Sequence, residues 1–304
     1  MRGLEERIAE RIRLKGPLTG AEIQDHIKAD SLTLWQTCCS SSLLATRTLG
    51  REYLRLDAQV EGYARLSPSI LREFLTYSVI GLAEDLKPLE RRRLGVAARS
   101  EAISREKHEL ARHFIENIRE QFTDAWPEEQ LCAILAGDVV YGMAHRVPRP
   151  ERSTGKLVDG SDIDLVVIVA DEVPDSFVAR LDAAIYQSKY AALVTPSVRE
   201  EIDYVVKRMA RVNEQLRFDT FKRMVACKIL HEGVLLHGSP AMFSDIKSRL
   251  RDQGVVQKLE DLEEQARASR EAGREYLLRH CFAGGLGNAL RKLFYSAEES
   301  EEFE

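Results

Sequence analysis

Two aspartates one residue apart, Asp162 and Asp164, head an apolar run in which Gly160-Ser161-Asp162-Ile163-Asp164 leads straight into Leu165-Val166-Val167-Ile168-Val169. Alternate side chains of a strand share a face, so both carboxylates point one way while Ile163 and Leu165 point into a core. Such a pair repels itself unless a cation sits between, and hard oxygen ligands select Mg²⁺ or Mn²⁺ over zinc. A third acid follows. The spacing predicts a helix over 174–190, capped by Asp175 or Ser176, with Phe177, Leu181, Ala184 and Ile185 as its apolar stripe. It leads into a strand over 199–206 with Asp203 at its start, and a strand, helix, strand order lays Asp203 beside the first pair. Three carboxylates on adjacent strands are what two-metal phosphoryl chemistry requires. Upstream, Gly137-Asp138 follows the apolar stretch from Cys132 to Ala136 and is expected at a helix-to-strand turn, where a glycine lets backbone N–H groups approach a phosphate.

These residues resemble the DNA polymerase beta-like nucleotidyltransferase superfamily. Ser161-Asp162-Ile163-Asp164-Leu165 is similar to its most recognisable string, and FDTFKRMVACKILHEGVLLHG, from Phe218 to Gly238, is similar to the closing helix and strand of minimal-type nucleotidyltransferase domains. The likeness covers about residues 105 to 240. It implies a mixed-sheet α+β domain that moves a nucleoside monophosphate from an NTP, ATP included, to an acceptor hydroxyl with release of pyrophosphate. It further implies that Gly137, with Asp138 and Ser161, binds the nucleotide. Asp162 and Asp164 would hold the metals, and Asp203 would be the third ligand, which in the family activates the acceptor. Two departures stand out. Asp138 occupies a position where the family has Ser or Gly, which places an anion near the expected phosphates. The stretch from Met143 to Gly160 is longer than the usual link; its Arg146, Arg149, Arg152 and Lys156 compensate that charge or bind an acceptor nucleic acid, unless it is an ordinary exposed β-hairpin.

Positioning these groups requires a scaffold, and its N-terminal part reads differently. A helix over 4–14 ends at Gly16-Pro17; Thr19 and Glu22 form a capping box for a second; 32–44 reads as a third. Residues 45–56 alternate around Gly50 as a small hairpin would. Three helices and a hairpin outline a winged helix-turn-helix over 1–66, whose third helix would enter a DNA groove while Arg47 and Arg51 touch phosphates. Residues 1–66 hold ten Lys and Arg against nine Asp and Glu, weak attraction for DNA, so protein contact or dimerisation is the other reading. Residues 67–124 read as helical with a charged break at Lys87–Arg93, making 67–104 a connector before a nucleotidyltransferase domain over 105–240. The remainder, 241–304, reads as a helical region: one charged helix over 250–278, a Gly284-Gly285-Leu286-Gly287 break, a short helix from Asn288 to Tyr295, and an acidic tail from Glu298 to Glu304.

With 304 residues, 44% hydrophobic and 31% charged, and a net charge of −5, the chain is neither disordered nor a basic nucleic-acid coat. No eighteen-residue apolar run exists, so no membrane span is expected, and the charged N-terminus argues against a signal peptide, which makes the cytoplasm the expected location. Cys38, Cys39, Cys132, Cys227 and Cys281 show no paired spacing, and His145, His231 and His237 are too scattered for zinc. The expected function is metal-dependent nucleotidyl transfer to RNA, tRNA or protein. The alternative is a DNA-binding regulator, or a toxin–antitoxin-type component, with a catalytically inactive nucleotidyltransferase fold. A nucleotide-sugar glycosyltransferase would use Asp-x-Asp but has no use for Asp203.

Overall fold

The computed structural model describes residues 2–122, 126–151 and 154–280 together with Phe294. The chain is α+β and divides into two compact units, one running to Arg99 and resuming at Asp261, the other from Ser100 to Glu260. The divisions expected from sequence, at 66, 104 and 240, differ from these. The later parts of the expected C-terminal region, from Gly284 onward, and Cys281 lie outside the described residues, apart from Phe294.

In the first unit, α1 (Arg2–Lys15) stops where Gly16 takes φ +81°, a conformation that costs glycine little. After β1 (Leu18–Thr19), α2 (Gly20–His26) starts on a capping box: Thr19 Oγ accepts from Glu22 N–H at 3.3 Å, and the Thr19 N–H donates to the Glu22 carboxylate at 2.7 Å. The third helix, α3 (Ser31–Ser40), is shorter than expected; Leu44 is buried in β2 (Leu44–Thr48). The hairpin expected over 45–56 does not form. β3 (Tyr53–Leu56) pairs with β4 (Ala64–Ser67), and after α4 (Ile70–Tyr77) the strand β5 (Ser78–Leu82) pairs with both β1 and β2. Residues 67–86 are therefore not helical throughout. Nor does the chain break at Lys87–Arg93. α5 (Leu86–Glu120) runs through it, because Pro88 falls in the first turn, where a missing N–H costs nothing, and because the charges pair off the core side: Arg92 with Glu22, Arg93 with Glu90. Ile8, Ile23, Leu34, Trp35, Phe74, Ile80 and, from the returning chain, Leu277 build this unit's core.

The second unit is organised by a four-stranded mixed sheet. β6 (Leu131–Ala136) is followed by a 3₁₀ turn over Gly137–Val139, so Gly137 closes a strand and does not connect a helix to one. A minor ladder, β7 (Arg149–Pro150) with β8 (Leu157–Val158), occupies the long link, within which Arg152 lies outside the described residues. Next come β9 (Ile163–Val169), α6 (Asp175–Val194), β10 (Ile202–Arg208), α7 (Met209–Gln215), α8 (Phe221–Glu232), β11 (Val234–Gly238) and α9 (Pro240–Asp252). α6 is capped by Pro174 with no side-chain bond, contrary to the expected Asp175 or Ser176 cap. The single helix expected over 250–278 is divided by Gly254, φ +67°, between α9 and α10 (Val255–Arg279).

Sheet order is β10-β9-β6-β11, with β9 and β10 parallel and β6 antiparallel to both its neighbours. Leu131, Ala133 and Leu135 of β6, Ile163, Leu165 and Val167 of β9, and Ile202 of β10 share one face, packed with Ile115 and Ile118 of α5 and Phe177, Leu181 and Ile185 of α6. Period-2 alternation then turns Asp164 and Asp203 to the opposite face. No described helix is long and apolar enough to cross a membrane.

Candidate metal centre

Parallel pairing of β9 with β10 sets Asp203 opposite Asp164, and antiparallel pairing of β6 sets Ala136 against Asp164 from the other side. Asp162 lies one residue ahead of β9 and on the face of Asp164. As a result one carboxylate oxygen from each of Asp162, Asp164 and Asp203 lies within 4.8 Å of the others. Asp164 is the deep member at 9% exposure; the side chains of Asp162 and Asp203 are 39% and 32% exposed. All donors are carboxylate oxygens, the set that hard divalent cations take. Ligand oxygens on one octahedral Mg²⁺ stand about 3 Å apart when adjacent and about 4.2 Å when opposite, so the three carboxylates must draw closer to hold one ion, which rotation of the partly exposed Asp162 and Asp203 side chains allows. The residues fit Mg²⁺ or Mn²⁺.

Two glycines let the backbone approach. Gly137, at φ +75°, leaves no room for a side chain: a Cβ there would lie 2.0 Å from Asp164 Oδ2. Gly160, at φ +81°, would set a Cβ 1.8 Å from the His145 carbonyl oxygen. Ser161, 4% exposed, uses its hydroxyl internally: it donates to Asp138 Oδ2 at 2.9 Å and accepts from His145 N–H at 3.2 Å. Asp138 is thus bonded to the segment that leads into Asp162. The Gly137 N–H, expected to face a phosphate, instead donates to Glu232 Oε1 at 3.3 Å. Tyr141 Oη donates to Glu232 Oε2 at 2.6 Å, and Lys228 Nζ stands 2.6 Å from the same oxygen.

Positive charge is built in around the acids. Lys189 Nζ on α6 donates to Asp203 Oδ1 at 2.9 Å. Arg149 of β7 reaches Asp162 Oδ2 at 3.5 Å and Glu201 Oε2 at 2.7 Å, and its Nε donates to the Gly160 carbonyl at 2.9 Å. Burial pushes the Glu201 carboxyl up from the usual range; Arg149 opposes the rise, while Asp162 and Asp203 add to it. Of the other basic residues singled out from sequence, Arg146 pairs with Glu106 at 2.8 Å, Arg223 with Asp219 at 2.7 Å, Lys156 and Lys222 are exposed, and Lys228 is buried against Glu232.

Glu201, Lys189, Glu232 and Tyr141 were not singled out from the sequence. Glu201 carries a readable signal, since it is two residues before Asp203 and shares its face in extended chain. Lys189 and Glu232 reach in from helices, and local spacing does not encode that reach. Burial pushes the Cys132 and Cys227 thiols up to about 12, as inert core cysteines require.

In the first unit the helix expected to read DNA has one face buried. Leu32, Leu34, Trp35, Thr37 and Cys38 of α3 are buried, and the Gln36 side-chain amide donates to the Leu277 and His280 carbonyls at the end of α10. Of the basic side chains on the strands, Arg47 donates to the Thr46 carbonyl, Arg55 is buried, and Arg65 pairs with Asp57 at 3.0 Å. No protein-family model matches the chain, and no curated protein or solved structure matches it either.

Proposed function

We propose that the unit from Ser100 to Glu260 is a metal-dependent nucleotidyltransferase, moving a nucleoside monophosphate from an NTP to an acceptor hydroxyl with release of pyrophosphate. One observation carries the reading: acids 39 residues apart in the chain, Asp164 and Asp203, meet Asp162 within 4.8 Å at the end of one sheet. Asp162, Asp164 and Asp203 would hold Mg²⁺ or Mn²⁺, which lowers the pKa of an attacking hydroxyl and stabilises the leaving oxygen of pyrophosphate. Asp203, one-third open to solvent, is the acid that an acceptor hydroxyl can approach and to which it can pass its proton. Arg149 orients Asp162 through the bonds described above, while the Lys189 ammonium neutralises Asp203 until a cation displaces it. The Gly137 turn, with Asp138 and Ser161, holds the backbone of β6 hard against Asp164 on the side where the nucleotide binds.

RNA, tRNA or a protein hydroxyl is the acceptor class. The test is pyrophosphate release by the purified chain with each NTP, Mg²⁺ or Mn²⁺, and added RNA or protein. Release that depends on one of these names the acceptor class. Asp162→Asn with Asp164→Asn lowers release by at least about 10³-fold while the circular dichroism spectrum stays unchanged. Undiminished release in that variant removes the reading.

A second reading is favoured by the carboxylates of Asp138 and Glu232 beside the turn, the latter on the Gly137 N–H. They oppose a triphosphate, as expected of a catalytically inactive nucleotidyltransferase fold that pairs with a partner, including a DNA-binding regulator. Cover of α3 by α10 then means that DNA contact through the first unit uses surfaces other than the Gln36 side of α3. No release with any NTP and acceptor from the folded wild-type chain selects this second reading.

A further inference from the structure

A single ammonium group lies beneath both acid-bearing segments. Lys107 on α5 is 1% exposed; its Nζ donates to the Asp159 carbonyl at 3.1 Å and to the carboxylate of Glu200. Asp159 stands three residues before Asp162, and Glu200 three residues before Asp203. The two segments are stitched to each other at the same level. Asp159 N–H donates to the Arg199 carbonyl and Ile163 N–H to the Glu201 carbonyl, each at 3.0 Å, just as the β9–β10 ladder begins. One turn earlier on α5, Ser104 Oγ accepts from Ala144 N–H at 3.0 Å. The neighbouring His145 accepts from Ser161 N–H through its carbonyl at 3.0 Å and donates its own N–H to Ser161 Oγ. One face of α5 therefore supports three loops, and two of them deliver the metal-binding acids.

Stability alone does not account for a charge at this position. The Lys107 and Glu200 side chains are 1% and 4% exposed, so both ions have lost their water, and an apolar pair of similar volume commonly stabilises a core as well or better. An apolar pair cannot bond a backbone carbonyl. An ammonium carries three donors on one atom, and here they join a carbonyl on one segment to a carboxylate on the other. That bridge ties the two chains together just before each runs three residues to its aspartate.

We propose that Lys107 is a positioning residue of the metal centre, setting the spacing between Asp162 and Asp203 by pinning the backbone ahead of each. The proposal rests on reading the three aspartates as metal ligands. The experiment compares the full-length wild type with the double variant Lys107→Met, Glu200→Met, which removes both charges and leaves neither ion buried alone. Amide hydrogen exchange is measured without metal, and Mn²⁺ binding is followed by electron paramagnetic resonance. Amides of residues 160–163 and 201–203 exchange roughly tenfold faster or more in the variant, while those of β6 and the middle of β9 keep their rates. Mn²⁺ binds at least about tenfold more weakly, as expected when ligand oxygens lose their preset spacing.

A folded variant with wild-type exchange and wild-type affinity overturns the proposal. Uniform acceleration across the unit, or failure to fold, makes the pair a general stabiliser and overturns it equally. A wild-type chain that binds no Mn²⁺ at the aspartates overturns the metal reading itself, and with it the role of Lys107 at a metal centre. The exchange pattern, being metal-free, still separates that failure from a failure of Lys107 to hold the two segments.

Discussion

A methyl group at position 137 would meet Asp164 Oδ2 at 2.0 Å, and the same residue holds φ +75°. Both costs fall on Gly137→Ala. The left-handed conformation costs a β-carbon about 1–2 kcal/mol, and the contact forces the deepest of the three carboxylates to move. The expected outcome is a variant less stable by about 1–3 kcal/mol in urea and at least about tenfold weaker for Mn²⁺; unchanged affinity would mean that Asp164 does not hold the ion. Lys189 tests the opposite sign. Its ammonium, 2.9 Å from Asp203 Oδ1, competes with a divalent cation for that oxygen. Lys189→Met is therefore expected to raise Mn²⁺ affinity by about three- to tenfold, less at high salt because the pair is partly exposed. A fall in affinity would show instead that Lys189 serves to hold Asp203 in place.

Among the elements, what could be read in the chain and what could not follows from the range of each signal. Asp162 and Asp164 were legible because a strand repeats every two residues, and Asp203 because strand, helix and strand in succession bring parallel strands together. The 45–56 alternation announced strands correctly but not their partners. β2 pairs with β5, 34 residues on from its first residue, and five residues of β5 lie between α4 and α5 with no period of their own. The unbroken course of α5 past Arg91-Arg92-Arg93 was hidden because a charge run looks the same in a linker and on a solvated helix face. β10 also carries a testable titration. Burial lowers Lys207 to about 8 from 10.5, and its Nζ donates to Gln215 Oε1 at 2.9 Å. Between those two values the unfolded chain binds a proton that the folded chain does not, so this residue makes stability rise with pH from about 8 to about 10.5. The gain is at most about 3 kcal/mol, read from urea midpoints across that range. Lys207→Met should flatten the slope, and an equal slope in the variant would assign it to other groups.

At the scale of the whole molecule, the chain leaves its first unit at Arg99 and comes back to it at Asp261, so residues far apart in sequence share one unit's stability. The join is a buried charge cluster. Glu73 of α4, whose side chain is 8% exposed, pairs with Arg270 at 2.9 Å and Arg274 at 2.8 Å, and Arg270 also donates to the Pro68 carbonyl and reaches Glu52. Removing one partner of a buried pair strands the other ion, which costs far more than the pair contributes in net terms. Arg270→Met is thus expected to destabilise the first unit by about 3–5 kcal/mol, with Arg274 holding the loss toward the lower figure. None of these residues belongs to the unit that carries the three aspartates, so Mn²⁺ affinity and the exchange rates of β6 and β9 should stay at their wild-type values. Calorimetry with and without saturating Mn²⁺ checks both halves. The transition that Mn²⁺ does not raise moves down in the variant, and the one that it raises stays in place. A shift of both transitions together would show that the two units unfold as one cooperative body.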